Sequence, residues 1–155
     1  MNILVTGGCG YIGSHACVAL ILAGHEVTVV DDLSNSRVEV LDRVATIAGR
    51  KPSFFQGDVR DQDLLRRVLA AAPMAAVFHF AGLKAVGESV AQPLRYYDCN
   101  VGGAISLCHA MADAGVKTLI FSSSATVYGD PASVPISEDF PRSATNPYGA
   151  SKLMI

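Results

Sequence analysis

No apolar run in this 155-residue sequence approaches the ~20 residues that cross a bilayer, so no membrane-spanning helix is expected. The N-terminus has no charged leader region, and its first apolar stretch is too short for the core of a signal peptide; no secretory leader is expected. Net charge is only −2 and no basic stripe appears, which argues against nucleic acid as a partner. The four cysteines (Cys9, Cys17, Cys99 and Cys108) include no Cys-x-x-Cys pair. His15, His25, His79 and His109 are equally scattered, so no metal site is read here. Buried free thiols in a reducing cytoplasm are the expectation.

What the chain does contain is apolar surface, with 50% hydrophobic residues and a mean hydropathy of +0.34. That suits one domain whose strands are covered by helices on both faces. The opening run Met1-Asn2-Ile3-Leu4-Val5-Thr6 leads into Gly7-Gly8-Cys9-Gly10-Tyr11-Ile12-Gly13 and then an apolar helical stretch to Ala23. Strand, glycine turn and helix in that order are the context of a dinucleotide-binding loop. The glycines read either as G-x-G-x-x-G (Gly8, Gly10, Gly13) or as G-x-x-G-x-x-G (Gly7, Gly10, Gly13). Both let a pyrophosphate approach the backbone at a helix N-terminus. A tight turn without a ligand is the alternative. The second strand, Val27-Thr28-Val29-Val30, ends in Asp31-Asp32, where an acidic group would bind the adenosine ribose hydroxyls and repel a 2′-phosphate. With no basic residue at that strand end, NAD is expected rather than NADP.

Strand and helix signals alternate from there. A helix near 38–48, a strand at Ser53-Phe54-Phe55 and a helix capped by Asp61 precede a strand over Ala75–Phe80. A long amphipathic helix follows, with Leu94, Tyr97, Val101, Ile105, Cys108 and Met111 on its apolar stripe, and then a fifth strand over 116–122. This pattern predicts an α/β, doubly wound parallel sheet of Rossmann type in the order 3-2-1-4-5. Ligands bind such sheets at the carboxyl edge, where Asp58-Val59, Ala81-Gly82-Leu83-Lys84 and Ser122-Ser123-Ser124 all lie. Asp58 and Val59 would flank the adenine, Ala81 and Gly82 would let the cofactor lie on backbone, and Lys84 would meet a phosphate or ribose hydroxyl.

Near its end the chain reads Asn146-Pro147-Tyr148-Gly149-Ala150-Ser151-Lys152. Asn146 suits an N-cap and Pro147 the first helical position, so Tyr148 and Lys152 fall on one helix face. An ammonium beside a phenol favours the phenolate, which makes the pair a candidate general base.

Taken together, the glycine turn, Asp31, the serine at the fifth strand and Tyr-x-x-x-Lys resemble the extended short-chain dehydrogenase/reductases that act on nucleotide sugars. Phe80-Ala81-Gly82-Leu83-Lys84-Ala85-Val86-Gly87-Glu88-Ser89 and Ser122-Ser123-Ser124-Ala125-Thr126-Val127-Tyr128-Gly129 resemble the UDP-glucose 4-epimerases among them. The resemblance runs from residue 1 to 155. It implies NAD held by Gly7, Gly10, Tyr11, Ile12, Gly13, Asp31, Asp32, Leu33, Ser34, Asn35, Ser36, Asp58, Val59, Phe80, Ala81, Gly82, Lys84, Tyr148 and Lys152. It implies Tyr148 as the base at the sugar's 4-hydroxyl, Lys152 on the nicotinamide ribose lowering the Tyr148 pKa, Ser124 as the proton-sharing partner, and Thr126 against the UDP-sugar substrate. A homodimer of the full-length protein is part of the same expectation.

There are two departures. Cys99 stands where relatives carry Asn, and the relatives are much longer, so residues 1–155 are expected to be an incomplete NAD-binding domain of a longer protein. Residues 1–155 alone are then expected to be a dinucleotide-binding module with little turnover. A 4,6-dehydratase would need Asp-Glu where Ala125-Thr126 stand, which counts against that rival.

Overall fold

The β-branched runs pair in parallel, in a computed structural model that describes residues 1–155. The strands are β1 (Asn2–Thr6), β2 (Glu26–Asp31), β3 (Ser53–Gln56), β4 (Met74–His79) and β5 (Leu119–Phe121). Their order is β3-β2-β1-β4-β5, as the sequence predicts. Helices α1 (Tyr11–Leu22), α2 (Val40–Ala48) and α3 (Gln62–Ala70) join the first four strands. The strand ends differ from expectation by at most three residues, most at β5, where pairing covers only Leu119 to Phe121.

The chain divides into two units. The first, Met1–Ala81 with Ile105–Ser122, holds the sheet. Period-two alternation explains its layers. Ile3, Val5, Val27 and Val29 pack with Cys17 and Ile21 of α1 and Leu41 and Val44 of α2. Leu4, Val30 and Val77 face the other way, onto Leu64, Leu65, Val68 and Leu69 of α3 and onto Leu107, Ala110 and Met111. Each fully buried Val or Leu contributes on the order of 2 kcal/mol. Asp61 caps α3 as expected, accepting from Leu64 N at 2.9 Å.

The second unit, Gly82–Ala104 with Ser123–Ile155, is built from short pieces. They are α4 (Val86–Ala91), α5 (Pro93–Tyr96), a π-helical segment (Tyr97–Gly102), a 3₁₀ turn (Ala125–Tyr128) and α7 (Pro147–Leu153). Helix α6 (Gly103–Asp113) begins here and continues into the first unit.

One expectation is corrected. The long helix with its apolar stripe is broken at Gln92-Pro93 and widened by the π segment. Proline cannot continue α4, and a π turn holds an extra residue, so the face rotates. Of the expected stripe Met111 is buried, together with Tyr96, Asn100, Ala104 and Leu107, whereas Leu94 and Ile105 are exposed at 80% and 53%. The thiols also differ from expectation: Cys9 and Cys17 are buried, Cys99 is half-buried and Cys108 is exposed. No helix is long and apolar enough to cross a membrane.

Candidate functional site

In the first unit the glycine loop is shaped by backbone. Gly7 has φ +71°, and its N–H donates to Val30 O at 2.8 Å. A methyl group there would lie 2.6 Å from Ala81 N, and one on Gly13 would lie 2.1 Å from Gly7 O. Only glycine allows α1 to begin this close to β1. Gly8 is also required, because a side chain would strike Val29, so both glycine readings mark real constraints. No side chain caps α1, whose first-turn N–H groups at Tyr11, Ile12 and Gly13 face an anion-suited end. Tyr11 and Ile12 are exposed.

Asp31 ends β2 almost buried. Its Oδ2 accepts from Cys9 N at 2.9 Å, and its Oδ1 accepts from Leu33 N at 3.0 Å and Ser36 Oγ at 2.7 Å. This carboxylate ties the glycine loop to the loop after β2 and holds Leu33 at φ +61°. A carboxylate has about four acceptor positions, so three bonds leave capacity for a ribose hydroxyl. Asp32 closes a local turn by accepting from Ser34 N and Ser34 Oγ at 2.9 and 2.7 Å, with Asn35 next in the same loop. Asp58 is engaged by Arg60, whose side chain holds the carboxyl below its usual range. Val59 is buried. Phe80 N donates to Thr6 O at 3.0 Å, carrying the chain past β4 to Ala81. An uncapped helix, glycines that admit no side chain and an acidic strand end fit a dinucleotide.

Ser124, Thr126, Tyr148, Lys152, Gly82 and Lys84 all lie in the second unit. Asn146 caps α7 as predicted, its Oδ1 accepting from Gly149 N at 2.8 Å, with Pro147 opening the helix. Tyr148 is half-buried. Lys152 is 7% exposed, and burial of its ammonium pushes it down from 10.5 to about 8. Gly82, at φ +154°, lies against this group: a methyl there would be 2.9 Å from Asn100 Oδ1 and 3.7 Å from Lys152 Nζ. Ser124 Oγ accepts from Thr126 N at 3.2 Å and Thr126 Oγ1 at 2.9 Å. With both acceptor positions of the hydroxyl filled, its O–H remains a donor.

Three contributors were not legible as such in the sequence. Buried Asn100 accepts from Leu83 N at 2.8 Å and donates to Leu83 O at 3.0 Å and Ser151 Oγ at 2.9 Å. Ser151 in turn donates to Tyr148 O at 2.7 Å. Tyr96 donates to Glu88 Oε2 at 2.7 Å and stands edge-on to Tyr148, ring centres 6.5 Å apart. Polar residues in an otherwise apolar helical pattern were the available signal.

A family model described as the NAD dependent epimerase/dehydratase family matches residues 3–155. The UDP-glucose 4-epimerase of Neisseria meningitidis serogroup A is 56% identical over 155 residues, covering 99% of this chain and 46% of that protein. The Bacillus subtilis UDP-glucose 4-epimerase is 57% identical, covering 100% and 46%. Among solved structures, the UDP-glucose-4-epimerase from Stenotrophomonas maltophila with bound NAD and formylated UDP-arabinopyranose superposes with a TM-score of 0.97 at 51% identity. That match covers 99% of this chain and 46% of the other. The chain spans a little under half the length of the relatives it matches.

Proposed function

The chain belongs to the NAD dependent epimerase/dehydratase family, and from that premise we propose that it is the cofactor-holding and proton-transferring part of a UDP-glucose 4-epimerase. The whole protein would interconvert UDP-glucose and UDP-galactose through a 4-ketosugar. One observation carries the reading: Tyr148 and a buried Lys152 share the short helix capped by Asn146, in a chain 56% identical to a UDP-glucose 4-epimerase.

Gly7, Gly10, Tyr11, Ile12 and Gly13 hold the pyrophosphate of NAD in this proposal, and Asp31 with Asp32, Leu33, Ser34, Asn35 and Ser36 holds the adenosine ribose. Asp58 and Val59 flank the adenine, and Phe80, Ala81, Gly82 and Lys84 line the remainder. When bound, the cofactor supplies reversible hydride acceptance at carbon 4 of the sugar. Tyr148 takes the 4-hydroxyl proton as the ketosugar forms and gives it back on return. Ser124 donates to the same sugar oxygen through the O–H that its bonds to Thr126 leave available, and Thr126 touches the sugar. Lys152 holds the nicotinamide ribose.

Residues 1–155 alone are proposed to bind dinucleotide with little turnover, since the chain spans 46% of its relatives. The four free cysteines suit the cytoplasm. A homodimer of the whole protein is part of the same proposal.

The test is the whole protein with UDP-glucose. UDP-galactose should form without accumulation of reduced cofactor. Exclusive release of a 4-keto-6-deoxy sugar nucleotide would overturn the reading in favour of a dehydratase.

A further inference from the structure

Tyr96 is the largest side chain withdrawn completely from solvent, at 0% exposure, yet it carries a phenol. Burying a hydroxyl is costly unless it is bonded, and a phenylalanine would fill the same volume without that cost. The hydroxyl is satisfied twice: it donates to Glu88 Oε2 at 2.7 Å and accepts from Ala85 N at 3.0 Å. The other Glu88 oxygen accepts from Arg95 Nη1 at 2.6 Å. Glu88 lies on α4, and Arg95 and Tyr96 lie on α5, so one carboxylate locks the two short helices across the break at Gln92.

These polar atoms are engaged by one another and by the Ala85 N–H. The outcome of the network is the placement of a ring. Tyr96 meets Tyr148 edge-to-face, with ring planes at 81° and centres 6.5 Å apart. Such pairs favour one mutual orientation over others. Burial and the adjacent Glu88 push the Tyr96 phenol up to about 12, so it stays neutral and keeps donating across the working pH range.

We propose that Tyr96, anchored by Glu88, is a positioning residue that sets the orientation of the Tyr148 ring and thereby aims its hydroxyl. Tyr96 touches no reacting atom and acts through Tyr148. The inference rests on the assignment of Tyr148 as the base, and deepens it.

The test uses the whole protein and the variants Tyr96→Leu, Tyr96→Phe, Glu88→Gln and, as control, Tyr148→Phe. Misplacing a reacting group by a fraction of an ångström slows chemistry without weakening ground-state binding, so kcat should fall about 30-fold in Tyr96→Leu with KM within twofold. Tyr96→Phe keeps the ring but loses both tethers, and it should recover most of that loss, settling roughly 5-fold below the parent. Glu88→Gln should resemble Tyr96→Phe. In all three the pH dependence of kcat should change, which a loss of stability alone would not cause. If Tyr96→Leu does not fold, the Tyr96→Phe and Glu88→Gln arms decide. A kcat within twofold of the parent in those two variants, with an unmoved pH profile, would overturn the inference even if their melting temperatures drop. Near-normal turnover in Tyr148→Phe would overturn the assignment of the base, and this inference with it.

Discussion

The two units of this chain solve the problem of holding a site in opposite ways. In the first, the buried residues are overwhelmingly apolar and Thr6, Asp31 and His79 are the polar exceptions. Its candidate ligand surface is mainly backbone: glycines against carbonyls and an uncapped helix start. In the second, the buried set is dominated by Ser89, Tyr96, Asn100, Ser151 and Lys152. Position there is set by side-chain hydrogen bonds that link Leu83, Asn100, Ser151 and Tyr148 in one sequence. Backbone cradles tolerate side-chain change except at glycine, whereas polar networks fail when any one member is lost.

That contrast can be broken most forcefully at Gly13. A side chain there meets Gly7 O within the loop itself, so Gly13→Val should cost on the order of 3 kcal/mol and abolish dinucleotide binding. Urea unfolding and dinucleotide titration measure both; retained binding would show that the cradle is not made of backbone.

Asn100→Ala is the corresponding attack on the second unit. It leaves Leu83 N–H, Leu83 C=O and the Ser151 hydroxyl without their partner. The expected loss is about 2–4 kcal/mol. Hydrogen exchange should quicken at Leu83 and along α7 while protection of β1 and β4 stays near that of the parent.

Lys152 is ordinarily protonated up to 10.5 but only to about 8 when folded. Between those values the unfolded chain holds a proton that the folded chain has released, so stability rises with pH across that window. Below about 8 both states are charged and the burial penalty is complete. Lys152→Met should therefore be the more stable protein at neutral pH without cofactor, by up to about 3 kcal/mol. Its advantage should vanish toward pH 10.5. An advantage that grew with pH would contradict the burial of a charge.

The smallest effect concerns the thiols. Burial raises Cys9 and Cys17 to about 12, so both are protonated at ordinary pH. Iodoacetamide should modify exposed Cys108 ahead of them, with Cys9 and Cys17 reacting only after unfolding. Mass spectrometry of the digested protein reads this out.

The same contrast explains what the sequence disclosed. Sheet order, the caps at Asp61 and Asn146 and the glycine loop were legible because each depends on local propensity or on the spacing of apolar residues. The path from Leu94 to Met111 was not, because its buried positions include Tyr96 and Asn100, which a hydrophobic periodicity passes over. The π segment then shifts the face that a regular helix would present. Candidate site residues were legible as types and spacings. Their partners were not: Asp31 reaches back to Cys9 and forward to Ser36, and Ser151 meets an asparagine 51 positions away.

In the proposed function the dinucleotide is retained without the Tyr148 hydroxyl, which carries the proton. Measuring kcat and bound cofactor together in the Tyr148→Phe whole protein tests it most directly. Turnover should be at least about 100-fold lower with cofactor content unchanged. Turnover close to that of the parent, or cofactor lost along with activity, would contradict it.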